Sequence, residues 1–374
     1  GLLPPLTAFV IAIRLSETHL LRLVLVFLGV ATTQALLGLI QYGDGPDSVF
    51  RLGNLYSDSA VGTYVNRNHL AGLLEMALPV SLALMAATIG HSRPPHSSGK
   101  HQRRRTFRQW LARFSMERLN QAAIYGSVAI AILLGLIFSR SRTGVGMAML
   151  GILLTTLLFS NRLGGRGVYG MVGAFTAIGI GLASLIGLAP VLNRFTLQDP
   201  MEDARWSIFD STVKASIEFF PLGSGAGTFE DVLRRFHPAD IYGVTINYAH
   251  NDYLEWVMEC GLIAALLITA WLVFYVRQWG RVWKRGNWTP LRFAQAGAGI
   301  SLLLMMLHTL VDCNLQIPAN AVFTALLAAV FFYRSQEEER PTQREQKKSD
   351  RSESQTPLPV YVIPPENQIN PFKS

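Results

Sequence analysis

The sequence predicts an all-α, polytopic helical membrane protein, and three observations carry that prediction. Half of the 374 residues are hydrophobic and only 16% are charged, against roughly 25% charged in an ordinary soluble protein. Apolar windows recur along the chain at the length needed to cross a bilayer, about 20 residues each. The links between those windows alternate between rich and poor in Lys and Arg, as the loops of a multi-pass protein do.

The elements follow in order. The chain begins at Gly1 inside an apolar stretch, Leu2 to Ile13, with no charged lead-in. This reads as the remainder of a first span, with upstream spans missing, and not as a signal peptide. Full spans fall at 20–41, 67–90, 121–138, 143–160, 168–189, 254–276, 293–312 and 318–333, the last of them short. The fold class is therefore helical with about eight or nine visible spans. The links at 91–120, 161–167 and 277–292 are basic, and the tail after Phe332 carries seven more Lys or Arg. The positive-inside rule makes that set cytoplasmic. The segments 42–66, 139–142, 190–252 and 313–317 are then external, and the alternation closes without adjustment. Residues 1–333 form the membrane domain. The tail at 334–374 has too little apolar content to fold alone and reads as disordered.

This frame removes several function classes. A net charge of +8 is explained by cytoplasmic loops and calls for no nucleic acid. Cys260 and Cys313 lie in or beside apolar runs, which disfavours a disulfide framework or a zinc site. The histidines are dispersed, and no HExxH and no external D-x-D pair appears, so no metal is expected.

The long external segment, 190–252, holds most of the chemistry. Asp199-Pro200-Met201-Glu202 has the pattern of a helix start. Trp206, Phe209, Val213, Ile217 and Phe220 then follow a helical stripe. Such an amphipathic helix lies at the membrane surface or packs on the span mouths. Gly223-Ser224-Gly225-Ala226-Gly227 follows. Its alternating glycines make either a turn or a cradle of backbone N–H groups for an anion, with Gly223 and Gly225 as the contacts. The segment ends in Ala249-His250-Asn251-Asp252-Tyr253-Leu254-Glu255. Asp252 and Glu255 have capping-box spacing. His250 and Asn251 then sit at the positive end of a helix, where an imidazolium is disfavoured and a neutral imidazole can take a proton.

Other polar groups share that side. The turn Ser139-Arg140-Ser141-Arg142 puts two arginines outside, against the charge trend. Each binds an anion or pairs with a loop carboxylate such as Glu202, Asp203 or Asp252. Arg205 is a ligand or a solvated helix residue. Tyr64, Asn66, Arg67, Asn68 and His69 crowd the outer end of another span, as ligands or as plain asparagine capping. His308 and Asp312 lie one turn apart and could bond each other. The residues together point to an external site for an anionic, lipid-borne substrate, with arginines in place of a metal.

The same stretches carry a resemblance. Tyr64-Val65-Asn66-Arg67-Asn68-His69-Leu70-Ala71-Gly72, Phe138-Ser139-Arg140-Ser141-Arg142, Arg205-Trp206, Pro221-Leu222-Gly223-Ser224-Gly225, Ala249 to Glu255, Glu259-Cys260-Gly261-Leu262 and His308 to Pro318 occur in this order over roughly 50–330. In them the chain resembles the O-antigen ligase/polymerase superfamily, the membrane proteins with the Wzy-C-type domain. The resemblance implies a GT-C-like glycosyltransferase of the bacterial inner membrane, with its site facing the periplasm and without cofactor. It would move a glycan from an undecaprenyl-diphosphate carrier to a lipid A-core, growing-glycan or protein acceptor. It implies His250, Arg142 and Arg205 as catalytic, with Arg140 as alternate to Arg142. Asn68, Asn251, Gly223, Gly225, His308 and Asp312 are candidate substrate contacts. Family members commonly carry more spans than are visible here. Polymerase and protein-directed ligase share the scaffold, and an anion transporter is the rival of a different class. A transporter places its charged residues near the bilayer midplane, whereas these cluster at one face.

Overall fold

The computed structural model describes residues 1–51, 58–90, 116–163, 200–238, 241, 245–283 and 288–334. The chain divides into two units, Gly1–Tyr333 and Arg334–Ser374, and the first contains everything below. The predicted span at 168–189, the beginning of the long external segment and nearly all of the predicted tail lie outside the described residues.

Ten α-helices and no strands occur among the described residues. They are α1 (Leu3–Ile13), α2 (Glu17–Asp44), α3 (Arg67–Gly90), α4 (Met116–Phe138), α5 (Arg142–Leu163), α6 (Pro200–Phe219), α7 (Phe229–Leu233), α8 (Asp252–Val282), α9 (Pro290–His308) and α10 (Pro318–Phe332). Among them α2, α3, α4, α5, α8 and α9 are long and apolar enough to cross a membrane. Each overlies a window expected from the sequence. α1 and α10 are apolar but shorter, and they pack on each other.

α3 is the central column. Its apolar window is wholly buried, with α4, α5 and α9 packed round it. Small residues make the close approach possible, as they do between helices that gain no hydrophobic drive from leaving lipid. A Cβ on Gly297 of α9 would fall 2.8 Å from the Ala83 Cβ and 3.0 Å from the Pro79 carbonyl of α3. α8 is peripheral by contrast, with only 22% of its window buried. Its Leu262, Ile263, Leu266 and Leu267 face outward.

α8 is broken at Gly261, whose φ of 56° and ψ of −133° only glycine adopts without cost. The loop after α6 docks into the break. The Leu262 N–H donates to the Pro221 carbonyl, Ser224 N–H to Met258 and Gly225 N–H to Glu259, each at 2.9 Å. The backbone groups that the break would strand are thereby paired, which an apolar setting demands. A Cβ on Gly261 would run into the Pro221 carbonyl. Gly261→Ala should therefore destabilise the protein by about 1–3 kcal/mol, read as a lowered melting temperature in detergent. An unchanged melting temperature would contradict this account of the break.

Two boundaries differ from expectation. The predicted span 293–312 ends at His308, so Asp312 sits in a turn and not on a helix face. The helix cap at 249–255 is also shifted. Asn251, not Asp252, is the N-cap, its Oδ1 accepting from Tyr253 and Leu254 N–H.

Candidate active site

The described parts of the expected external segments meet at one end of the bundle. The Ala60 N–H donates to the Phe138 carbonyl at 2.8 Å and the Asp252 N–H to the Thr309 carbonyl at 3.0 Å. Leu315 N–H donates to the Asp252 carboxylate at 2.9 Å. Glu255 accepts from Ala249 N–H at 2.8 Å and from the Gln316 amide at 2.9 Å. These buried carboxylates tie the start of α8 to the turn after α9, and so hold His250 against Asp312.

Asp312 is the hub. Its carboxylate is 1% exposed and faces four N–H donors, with the Cys313 thiol a fifth donor at 3.6 Å. Oδ1 lies 3.3 Å from His250 Nδ1 and 2.8 Å from the Cys313 N–H. Oδ2 takes the Asn68 amide at 2.8 Å and Arg205 Nη2 at 3.2 Å. The Arg205 Nη1 also donates to the Val311 carbonyl at 2.6 Å. Burial by itself would raise the Asp312 carboxyl. The His250 hydrogen bond and the charges of Arg205 and His308 outweigh it and hold the group well below the usual carboxylate range. Next to it, burial and the Asp312 charge push the Cys313 thiol far up, which keeps it a thiol and a poor nucleophile.

With Asp312 accepting at Nδ1–H, the His250 Nε2 carries the lone pair. This tautomer follows from the bonding, since a carboxylate accepts and does not donate. His250 has φ 53°, and Arg140, at 56°, is the other non-glycine residue with positive φ among the described residues. Such backbone costs energy and concentrates at working sites.

His250 faces a cavity of about 650 Å³. Tyr64, His69, Tyr248 and Cys313 line it beside apolar residues such as Val30 and Phe323. His69 Nε2 lies 3.7 Å from Cys313 Sγ. His69, Asp312 and Cys313 hold ligand-capable atoms within 4.8 Å of one another. Both Asp312 oxygens are already engaged and a guanidinium stands on one of them, so a cation there would displace bonds and meet a like charge.

The remaining candidates take varied places. Arg142 opens α5, half-buried. Gly144 in the same turn abuts Ala71, one turn along α3 from Asn68. Arg140 pairs with Asp58, Nη1 to Oδ2 at 2.6 Å and to the Asp58 carbonyl at 3.0 Å. Its partner is thus Asp58 and none of the carboxylates expected, and the pair clamps two loops together. Asn251 is a scaffold residue, its Nδ2 donating to the Leu310 carbonyl at 2.9 Å. Gly223 and Gly225 do not form an anion cradle. Their N–H groups go to the Phe219 and Glu259 carbonyls, and Gly223 is a glycine because α8 passes against it. His308 does not bond Asp312 through its ring and does not reach the surface. Its Nδ1 meets Glu75 Oε2 at 2.8 Å, both side chains being 0% exposed.

Residues 127–269 match the O-antigen ligase family model. That stretch is similar to the O-antigen ligase family. Arg142, Arg205 and His250 lie inside the match, while Asn68 and Asp312 lie outside it and are brought to the matched stretch by α3 and the turn after α9. No curated protein and no solved structure matches the chain. Six helices among the described residues are long and apolar enough to cross a membrane, and the match supports a membrane enzyme of the O-antigen ligase/polymerase type.

Glu75, Asp58 and the His250–Asp312 partnership escape the sequence reading. Glu75 had a usable signal, being a lone acid inside an apolar span, where a charge is costly without a partner.

Proposed function

We propose that this protein is a glycosyltransferase that moves a glycan from an undecaprenyl-diphosphate carrier to an acceptor hydroxyl at the periplasmic face of the bacterial inner membrane, without a metal. The observation that carries this reading is the buried Asp312 joining His250 and Arg205 beside a largely apolar cavity. An imidazole oriented by a carboxylate serves as a general base. A guanidinium fixed beside it suits a diphosphate.

In the proposed reaction His250 Nε2 takes the proton of the acceptor hydroxyl while that oxygen bonds to the anomeric carbon. The bond from that carbon to the diphosphate oxygen breaks, and the electron pair stays on the diphosphate. Arg205, with Arg142 from the start of α5, stabilises the charge so gained. Asp312 stabilises the imidazolium. The donor is already activated, so no nucleotide is consumed. The occupied oxygens of Asp312 support the metal-independent reading.

His250→Ala and Arg205→Ala should each lower transfer by about 10²–10⁴-fold in a purified assay with lipid-linked glycan, at unchanged expression. Wild-type transfer by either variant would overturn the assignment. Gene deletion identifies the acceptor: loss of long chains from the lipid core, single repeats left unextended, or polysaccharides intact and a glycoprotein lost.

A further inference from the structure

Among the described residues most of the apolar stripe of α6 is exposed, with Phe209 half-buried at its edge. Trp206 is 72% exposed, Ile217 71% and Phe220 60%, with Val213 also exposed. The face that packs inward is a different one, made of Ile208, Ser211, Thr212 and Ala215. Ile208 and Ala215 share a small core with Phe229, Leu233 and Met258. A third sector is charged, with Asp210 and Lys214 paired at 2.6 Å and both exposed. At 100° per residue Lys214 lies about 60° past Ile217 and the exposed Glu218, paired with Arg235 at 3.2 Å, about 40° further, while Asp210 marks the edge of the stripe about 20° from Ile217. Arg205 lies on the border of the inward face, where it reaches Asp312.

The exposed stripe continues onto a lipid-facing surface. Leu222, 80% exposed, follows Pro221, whose carbonyl is bonded to Leu262 at the α8 break. From there Leu262, Ile263, Leu266 and Leu267 run down the outward flank of α8, a helix long and apolar enough to span. Water against so long an apolar face is unfavourable. A helix with an apolar stripe beside a charged one lies in the plane of a bilayer interface.

We propose that α6 is seated in the membrane interface on the site's side of the bundle, with Trp206, Val213, Ile217 and Phe220 among the lipid chains and Lys214 and Glu218 in water. The occupant of the stripe is lipid because the stripe leads through Phe220 and Leu222 to the outward flank of a spanning helix. The seat holds Arg205 at the level of the lipid headgroups, where the diphosphate of a membrane-borne donor lies. That last consequence rests on the proposed function, whereas the seat does not.

The test is a spin-label scan in vesicles of phosphatidylethanolamine and phosphatidylglycerol. Single cysteines at 213, 214, 217 and 218 are placed in full-length protein carrying Cys260→Ser, with the buried Cys313 left in place and the parent checked for background labelling. Labels at 213 and 217 should collide with oxygen several-fold more often than with a water-soluble nickel chelate, and labels at 214 and 218 should show the reverse. Nickel accessibility at 213 and 217 equal to that at 214 and 218 would overturn the seat. So would strongly immobilised spectra at 213 and 217, which would place protein, from a second copy or another segment of this chain, on the stripe. As a second measurement, brominated lipids should quench wild-type fluorescence more than that of Trp206→Phe, and equal quenching would count against the seat. Neither readout needs transfer activity, so failure of the seat and failure of the proposed function are told apart.

Discussion

Asp312→Ala should abolish glycan transfer and also loosen the fold at the site, the largest combined effect expected of any single change at this site. One deletion removes the acceptor of the His250 imidazole, of the Arg205 guanidinium and of the Asn68 amide. His250 then loses the group that fixes its ring and stabilises its protonated form. A loss of about 10²–10⁴-fold in kcat is expected for an unsupported general base. Arg205 keeps only its bond to the Val311 carbonyl among the contacts described here, so binding of the donor weakens as well. Breaking a buried ion pair from one side costs about 3–5 kcal/mol, because the partner charge stays behind. Asp312→Asn separates the two effects. It keeps the shape of the side chain and removes the charge, so it should retain more stability than alanine while losing most of the activity. Acid does not mimic either variant. The folded Asp312 carboxyl lies well below its ordinary value, so its contribution is complete above the unfolded value of about 3.9 and is lost only as pH falls through the lower, folded one. Activity near wild type in Asp312→Asn, measured with purified protein and lipid-linked glycan, would remove Asp312 from the mechanism.

The spans were legible because a bilayer demands length and apolarity, and both are properties of a window of sequence. The partnerships at the site were not. Helical periodicity pairs Asp312 with His308, since four residues make one turn. The chain instead ends α9 at His308, and the Val311 and Asp312 N–H groups both turn back to the His308 carbonyl, at 3.0 and 3.1 Å. In that turn the Asp312 side chain meets His250 and Arg205. A break of this kind depends on what packs against the helix end, which here includes Asn68 from a residue 244 positions away. The α6 stripe shows a similar limit, its destination left open between the membrane surface and the span mouths. Its periodicity correctly predicts a helix, but in a membrane protein an apolar face has two possible destinations, core or lipid, and periodicity does not choose between them. The small inward face of Ile208, Thr212 and Ala215 is too slight to register beside Trp206 and Phe220.

Glu75→Ala should be strongly destabilising although Glu75 touches no part of the cavity. Its Oε2 lies 2.8 Å from His308 Nδ1, with both side chains fully buried in the bundle. Among the described residues neither Glu75 Oε1 nor His308 Nε2 has another hydrogen-bond partner. The pair is therefore satisfied only by itself. Removing one member strands the other, at a cost of about 3–5 kcal/mol. Removing both should cost less than the two single changes summed, because no stranded polar group remains. A double-mutant cycle of Glu75→Ala, His308→Leu and the double variant, read by melting temperature in detergent, measures that coupling. Simple additivity would show that the pair does not act as a unit. The consequence extends to the site, because α3 grips the turn after α9 at two points. Glu75 holds His308, whose carbonyl anchors the turn, and Asn68 holds Asp312 at the turn's other end. With Glu75 gone, the turn loses its hold at His308 and keeps from α3 the Asn68 bond to Asp312. Glu75→Ala should then lower kcat with less effect on KM, since Asp312 orients the base while the cavity that receives the substrate keeps its walls.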